Sequence, residues 1–211
     1  MTMDKMTRRM FGASGLALML ASSASFAQQS PPVRVRGTIE KLDGNTLLVK
    51  SRDGAELKLA LKDNVRIGGV VKASLTDVKA DTNVAITSRP RADGTLEAVE
   101  LRIAPAGQPF NSFHGDWDLM PNSFMTNGSL QTSVAGVDGQ MLTVKYKIQG
   151  KPDEEKKIVV TPKTIIATTV PGTKEDLKPG LKVFVAGAPK LPDGSLDVAA
   201  IQVEKEIPPP Q

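Results

Sequence analysis

The chain has no cysteine, and only one histidine, one tryptophan and one tyrosine. Without cysteine there are no disulfides, thiolate nucleophiles or thiolate metal sites, and no cysteine for a lipid anchor. One histidine leaves little for acid–base chemistry, and the patterns Gly-x-Ser-x-Gly, Ser-x-x-Lys and His-Glu-x-x-His are missing, so no enzyme is expected. No apolar run reaches the length of a spanning helix; the stretch Gly15–Leu20 is far too short. A strong charge of one sign is also lacking. The chain carries 27 basic and 23 acidic residues, and without Lys5, Arg8, Arg9 and Asp4 the basic excess falls to two. That is no nucleic-acid footprint.

What is present begins with an export signal. Arg8-Arg9-Met10-Phe11 is a twin-arginine pattern, Gly15–Leu20 is mildly apolar, and Ser25-Phe26-Ala27 sets small residues before Gln28. Residues 1–27 therefore read as a signal peptide, of the twin-arginine type in preference to an ordinary secretory signal, with cleavage before Gln28 and a periplasmic product.

The remainder repeats itself. Asp43-Gly44, Leu47, Val49 and Lys50 match Asp138-Gly139, Leu142, Val144 and Lys145. Val84, Ile86 and Pro90 match Val183, Val185 and Pro189, and Asp93-Gly94, Leu96, Leu101 and Ile103 match Asp193-Gly194, Leu196, Ile201 and Val203. Alternation such as Leu57, Leu59, Leu61 marks half-buried strands, and the Asp-Gly pairs supply tight turns. Asp43, Asp53 and Asp93 lack calcium-loop spacing and read as turn residues. Ser74–Lys79 and Thr173–Lys178 each suit one short helical turn. The expectation is an all-β protein with two small OB-like β-barrels in tandem, residues 33–105 and 131–205, each with one short helical turn; small β-sandwiches are the alternative. The tail, residues 206–211, is Pro-rich and expected to be extended and disordered.

Between the units, residues 106–130 hold most of the unusual chemistry. Beyond Ala27 there are six aromatics, and four of them, Phe110, Phe113, Trp117 and Phe124, lie in or at the edge of this linker, as does the only histidine. A flexible tether would be polar, so this one is expected to be ordered and packed. Three roles fit it. Phe113, Trp117 and Phe124 pin the connection between the barrels, or they form a partner-binding surface in which Trp117 and Phe113 are the anchors. In the third, His114, Asp116, Asp118, Met120 and Met125 hold a metal ion, copper or another divalent ion; otherwise no cofactor is expected. The repeat units themselves hold only Tyr146 and Phe184 as aromatics, which argues against base stacking.

The order of these elements resembles a family of small OB-like domains of unknown function in exported bacterial proteins. Each half runs strand, Asp-Gly turn, strand, then Asn64-Val65 or Thr164-Ile165. Thr76-Asp77-Val78-Lys79 or Glu175-Asp176-Leu177-Lys178 follows, and a closing Asp-Gly hairpin ends the unit. The segment His114…Trp117-Asp118-Leu119…Pro121…Met125-Thr126-Asn127 is similar to one in two-domain proteobacterial members. The resemblance implies fold and compartment and assigns no active residue. Asp81 stands where the second unit has Gly180. The resulting expectation is an exported, non-enzymatic binding or scaffolding protein. Its partner would be a protein or a small ligand, without nucleic acid and without membrane insertion once the signal is cleaved. A periplasmic metal-binding protein is the alternative.

Overall fold

The computed structural model describes residues 31–137 and 139–211, so the expected signal peptide, 1–27, lies outside the described residues. The described chain is all-β, with two 3-10 turns as its helical elements. No described helix is long and apolar enough to cross a membrane. Twelve strands run in chain order: β1 (Val33–Asp43), β2 (Thr46–Ser51), β3 (Glu56–Lys72), β4 (Asn83–Pro90), β5 (Leu96–Ile103), β6 (Phe113–Trp117), β7 (Ser123–Gly136), β8 (Gly139–Tyr146), β9 (Glu154–Val160), β10 (Ile165–Pro171), β11 (Lys182–Ala188) and β12 (Leu196–Glu204).

Five of them close into a barrel. β1 pairs with β2, β2 with β3, β3 in parallel with β12, β12 with β11, and β11 with β1 again. Its interior is apolar because alternate residues point inward: Val35 and Ile39, Leu47 and Val49, Leu59 and Leu61, then Val183, Val185, Val198 and Ile201. A second ring of pairings runs β7–β8–β9–β5–β4 and back to β7, with the β9–β5 contact parallel. It encloses Leu130, Leu142, Val144, Ile158, Val84, Ile86 and Leu101.

The rings do not follow the expected boundaries. Residues 33–105 and 131–205 were expected to enclose one core each. Instead, each ring takes three strands from one segment and two from the other. The start of the second unit also moves: β7 begins at Ser123, so Ser123–Leu130, expected as linker, already form a barrel strand. The reason lies at the crossing. β3 runs on for 17 residues and carries the chain out of the first ring. There it pairs antiparallel with β10, which also pairs in parallel with β5. At this seam Val70 faces Thr169, and their spacing equals that between Val84 and Val183.

Each crossing is followed by a short 3-10 turn, Leu75–Asp77 or Lys174–Asp176, where a helical turn was expected in each half. Both open on a carboxylate that accepts a backbone N–H: Ser74 N donates to Asp77 and Thr173 N to Asp176, each at 2.8 Å. The turns then deliver Val78 to the second core and Leu177 to the first. Asp81 adopts φ 62°, matching Gly180 at 87°. Asp81 N–H donates to Leu130 O and Gly180 N–H to Ile39 O, both at 2.8 Å. Asp is among the few residues that tolerate this conformation.

Two strand glycines sit at matching places for a steric reason. A Cβ on Gly37 would lie 2.3 Å from Lys50 O, and one on Gly128 would lie 2.1 Å from Lys145 O. The strands approach too closely for any side chain, next to the register shifts at Ile39/Lys41 and Leu130/Thr132 that coil β1 and β7 around their rings. The tail departs from its expected disorder: Pro209 and Pro210 are buried, and Glu206 accepts the Lys72 N–H at 3.0 Å. A proline-rich end has little conformational entropy to lose on docking.

Candidate functional site

The linker forms a hairpin on the second ring. β6 pairs antiparallel with the first part of β7, so Gly115 faces Met125, His114 faces Thr126 and Asp116 faces Phe124. The connecting turn is closed by Ser123, whose Oγ lies 2.8 Å from both Trp117 O and Met120 O. The alternation of a strand sends Phe113, Gly115 and Trp117 to one face and His114 and Asp116 to the other.

The Trp117 end docks on the outside of the first barrel. Arg34 and Arg36 project outward from β1 on either side of the inward Val35. The Arg34 guanidinium lies 4.0 Å from the Trp117 ring centre. That of Arg36 lies 5.6 Å from Trp117 and 5.1 Å from Phe184 on β11, so it is held between two aromatic faces. Both arginines pair with Asp118, at 2.8 and 2.9 Å. Burial raises the Asp118 carboxyl pKa, but the bonds and charges of Arg36 and Arg34 outweigh it and hold the group at about 2. The carboxylate is thus the counter-ion of the clamp.

The other face carries a polar layer at inward positions of the second ring. His114 Nδ1 and Thr126 Oγ1 share a hydrogen bond of 2.9 Å. The His114 ring stacks on Phe124 and tilts against Tyr146, with centroids 5.9 and 5.1 Å apart. Tyr146 donates its hydroxyl to Glu154 at 2.7 Å. Burial, and then the Glu154 carboxylate, push the tyrosine up to about 12. Burial and the nearby Lys156 charge hold His114 below the usual imidazole range, against an opposing pull from Glu154. At neutral pH the imidazole is uncharged.

The residues expected to hold a metal ion are not assembled as a ligand set. Asp118 is committed to two arginines, His114 shares its Nδ1 with Thr126, and Met125 is buried on the face opposite His114. Among the described residues no group of three or more His, Cys, Asp or Glu is placed to hold a metal. A cleft of about 710 Å³ does gather Asp116, Trp117, Met120 and Phe124, with Arg89 and Pro90 opposite. Phe113 is not in its wall; it lies across Gly115 and is 41% exposed.

A larger groove, about 950 Å³, opens where β3, β10, β11 and β12 meet the segment after β5. Its lining takes in the outer face of the first barrel, where Gly68, Ala186 and Ala200 have side chains too small to fill it. Phe110 and Phe184 supply aromatic walls. No acidic residue lines it, and Arg66 is its one charged residue. Sequence reading singled out neither the groove nor Phe184 as a contact. The available signal was that Phe184 is one of only two aromatics in the repeats. What sequence could not show is that the segment after β5, tied to Asn83, lines one groove with β11 and β12. Phe184 touches Arg36, and Arg36 touches Trp117, so the groove and the linker clamp share a wall.

No family model, curated protein or solved structure matches this chain.

Proposed function

We propose that this is an exported, non-enzymatic binding module, two OB-like barrels that have exchanged strands, which takes an apolar ligand with a neutral or anionic end in the junction groove. The observation that carries this reading is the composition of that groove: a small-residue floor, two aromatic walls, one arginine and no carboxylate. Apolar concavities with a few convergent polar groups are the usual form of ligand sites. Strand order supports the OB-like description, since each ring has one parallel contact among otherwise antiparallel ones, β3 with β12 in the first and β9 with β5 in the second. Phe110 and Phe184 touch the ligand, while Trp117 positions the wall through Arg36. The non-enzymatic reading rests on the lone His114, whose hydroxyl partner Thr126 is fully buried and out of a substrate's reach. Export rests on the twin-arginine segment and the small residues before Gln28.

The test uses 1-anilinonaphthalene-8-sulfonate, an apolar anion, as the probe. It binds saturably at one site, shifts the emission of Trp117, the only tryptophan, and is lost in Ala200→Trp, which fills the groove floor. Saturable binding that survives Ala200→Trp and Phe110→Ala would sink the groove as the site. Export is checked separately, by a periplasmic product whose first residue is Gln28.

A further inference from the structure

The hairpin of β7 and β8 runs past the second barrel. From Thr132 to Gly136 every residue of β7 is exposed. One edge of this segment is paired with β8. The other edge has lost its neighbour, because β4 pairs only as far as Ser129 and the last bonds on that side are made by Leu130, whose N–H donates to Thr82 O and whose carbonyl accepts from Asp81 N–H. Among the described residues no backbone bond covers Gln131–Gly136 on that edge.

Such an edge is a template for another strand. Proteins ordinarily blunt it with charge, proline or an inward-pointing ion. Gln131-Thr132-Ser133-Val134-Ala135-Gly136-Val137 has none of these. It also exposes apolar surface: Val134 is 61% exposed and Val137 fully so. The corresponding hairpin of the first barrel is shorter, and β1 ends there on Glu40, Lys41 and Asp43, whose charges protect it.

We propose that two copies of this chain associate through this edge, β7 pairing antiparallel with β7 about Val134. Symmetry dictates the register. A two-fold axis normal to the sheet keeps each residue on its own face in both copies, so a residue can pair only with one of the same parity. Centring on Val134 sets Val134 against Val134, Ser133 against Ala135, and Thr132 against Gly136. No charge meets a like charge, and the exposed valine is covered by its twin. A charged partner strand would find nothing on this edge to recognise, which favours the second copy. Pairing over so few residues buries much less than the roughly 1,600 Å² of a standard stable interface, so the dimer is weak, with a dissociation constant in the micromolar range or above.

Sedimentation of the full chain, from about 10 µM to 1 mM, tests this; the range brackets the affinity expected for so small an interface. A monomer–dimer equilibrium is expected, weakened at least tenfold by Val134→Lys, a change at an exposed site that leaves the fold intact. Because the chain has no cysteine, Val134→Cys gives a single thiol. Mild oxidation links it across the axis much faster than a control Thr76→Cys, which is exposed on the 3-10 turn. A monomer throughout the range, a dimer indifferent to Val134→Lys, or equal cross-linking of the two thiols would overturn the proposal.

Discussion

The two rings share a strand order and differ in what sits at one end. In the first ring the interior is apolar along its length, and its hairpin β1–β2 ends in charge. In the second, inward positions near the mouth become Thr126, Tyr146 and Glu154, and Ser88 is fully buried beside them. An additional strand, β6, brings His114 over this layer, and the hairpin β7–β8 is longer and uncharged at its free edge. The difference shows where a β-barrel tolerates change. Central layers are held by packing against every neighbour, while strand ends can exchange apolar for polar groups: Thr126 and Tyr146 find partners in His114 and Glu154, and only the small Ser88 hydroxyl of this layer is left without one. The frame is common to both rings, and the polar layer at inward positions belongs to the second.

The most severe break in this comparison comes from cutting the chain. Cleavage between Ala106 and Gly107, in an exposed loop, leaves two pieces that remain one particle in native buffer and part only in denaturant, because each core draws strands from both. Pieces that separate on simple dilution would show that each segment holds its own core. Next in size are the paired glycines. Gly37→Ala and Gly128→Ala each drive a Cβ into a backbone carbonyl, and each should cost roughly 3 kcal/mol in denaturant unfolding. Equal losses would mean equal strand approach in the two rings, and a tolerated Gly128→Ala would break the equivalence.

Arg36→Ala removes the group between Phe184 and Trp117 and half of the Asp118 clamp. A loss of about 1–2 kcal/mol and a red shift of Trp117 emission are expected. An unchanged spectrum would mean that Trp117 does not lean on the first barrel. The smallest effects are those of pH, and they separate the rings. Asp118, paired with the first barrel, contributes stability that is present above pH 4 and lost as pH falls towards 2. His114, over the second ring, has its pKa depressed. Its contribution is present above the ordinary imidazole range and lost as pH falls through the lower folded value. Thermal melts between pH 8 and 5 should slope downward with acid and flatten in His114→Phe; an unchanged slope would place the effect elsewhere. Tyr146 runs the other way: its contribution holds below pH 10 and fades as pH rises through about 12. As the only tyrosine, it can be followed by absorbance alone.

Much of the local structure was legible from the chain. Alternation at Leu57–Leu61 and Leu142–Val144 marked strands, Asp-Gly pairs marked turns, and Ser74–Lys79 and Thr173–Lys178 marked the two short turns, because each depends on residues within a few positions of one another. The linker was legible in part: its large apolar groups pointed to contacts, which Trp117 and Phe124 make, while Phe113 stays 41% exposed. The candidate site was legible only in fragments. Phe110 stood out as an aromatic, but the groove it walls needs β3, β10, β11 and β12 side by side, and the Trp117–Arg36–Phe184 contacts join residues from three distant segments.

By itself, then, the sequence determined periodicity, turns, the matching of the two halves and the need to bury the linker, all consequences of side-chain pattern and backbone preference at short range. Tertiary structure alone decided which half of each repeat closes which ring. The inward residues of the two halves are so alike that either pairing would bury the same kinds of side chain. The choice rests on long-range geometry: β3 runs straight past its barrel to meet β10, and the chain that follows it can reach only the other core.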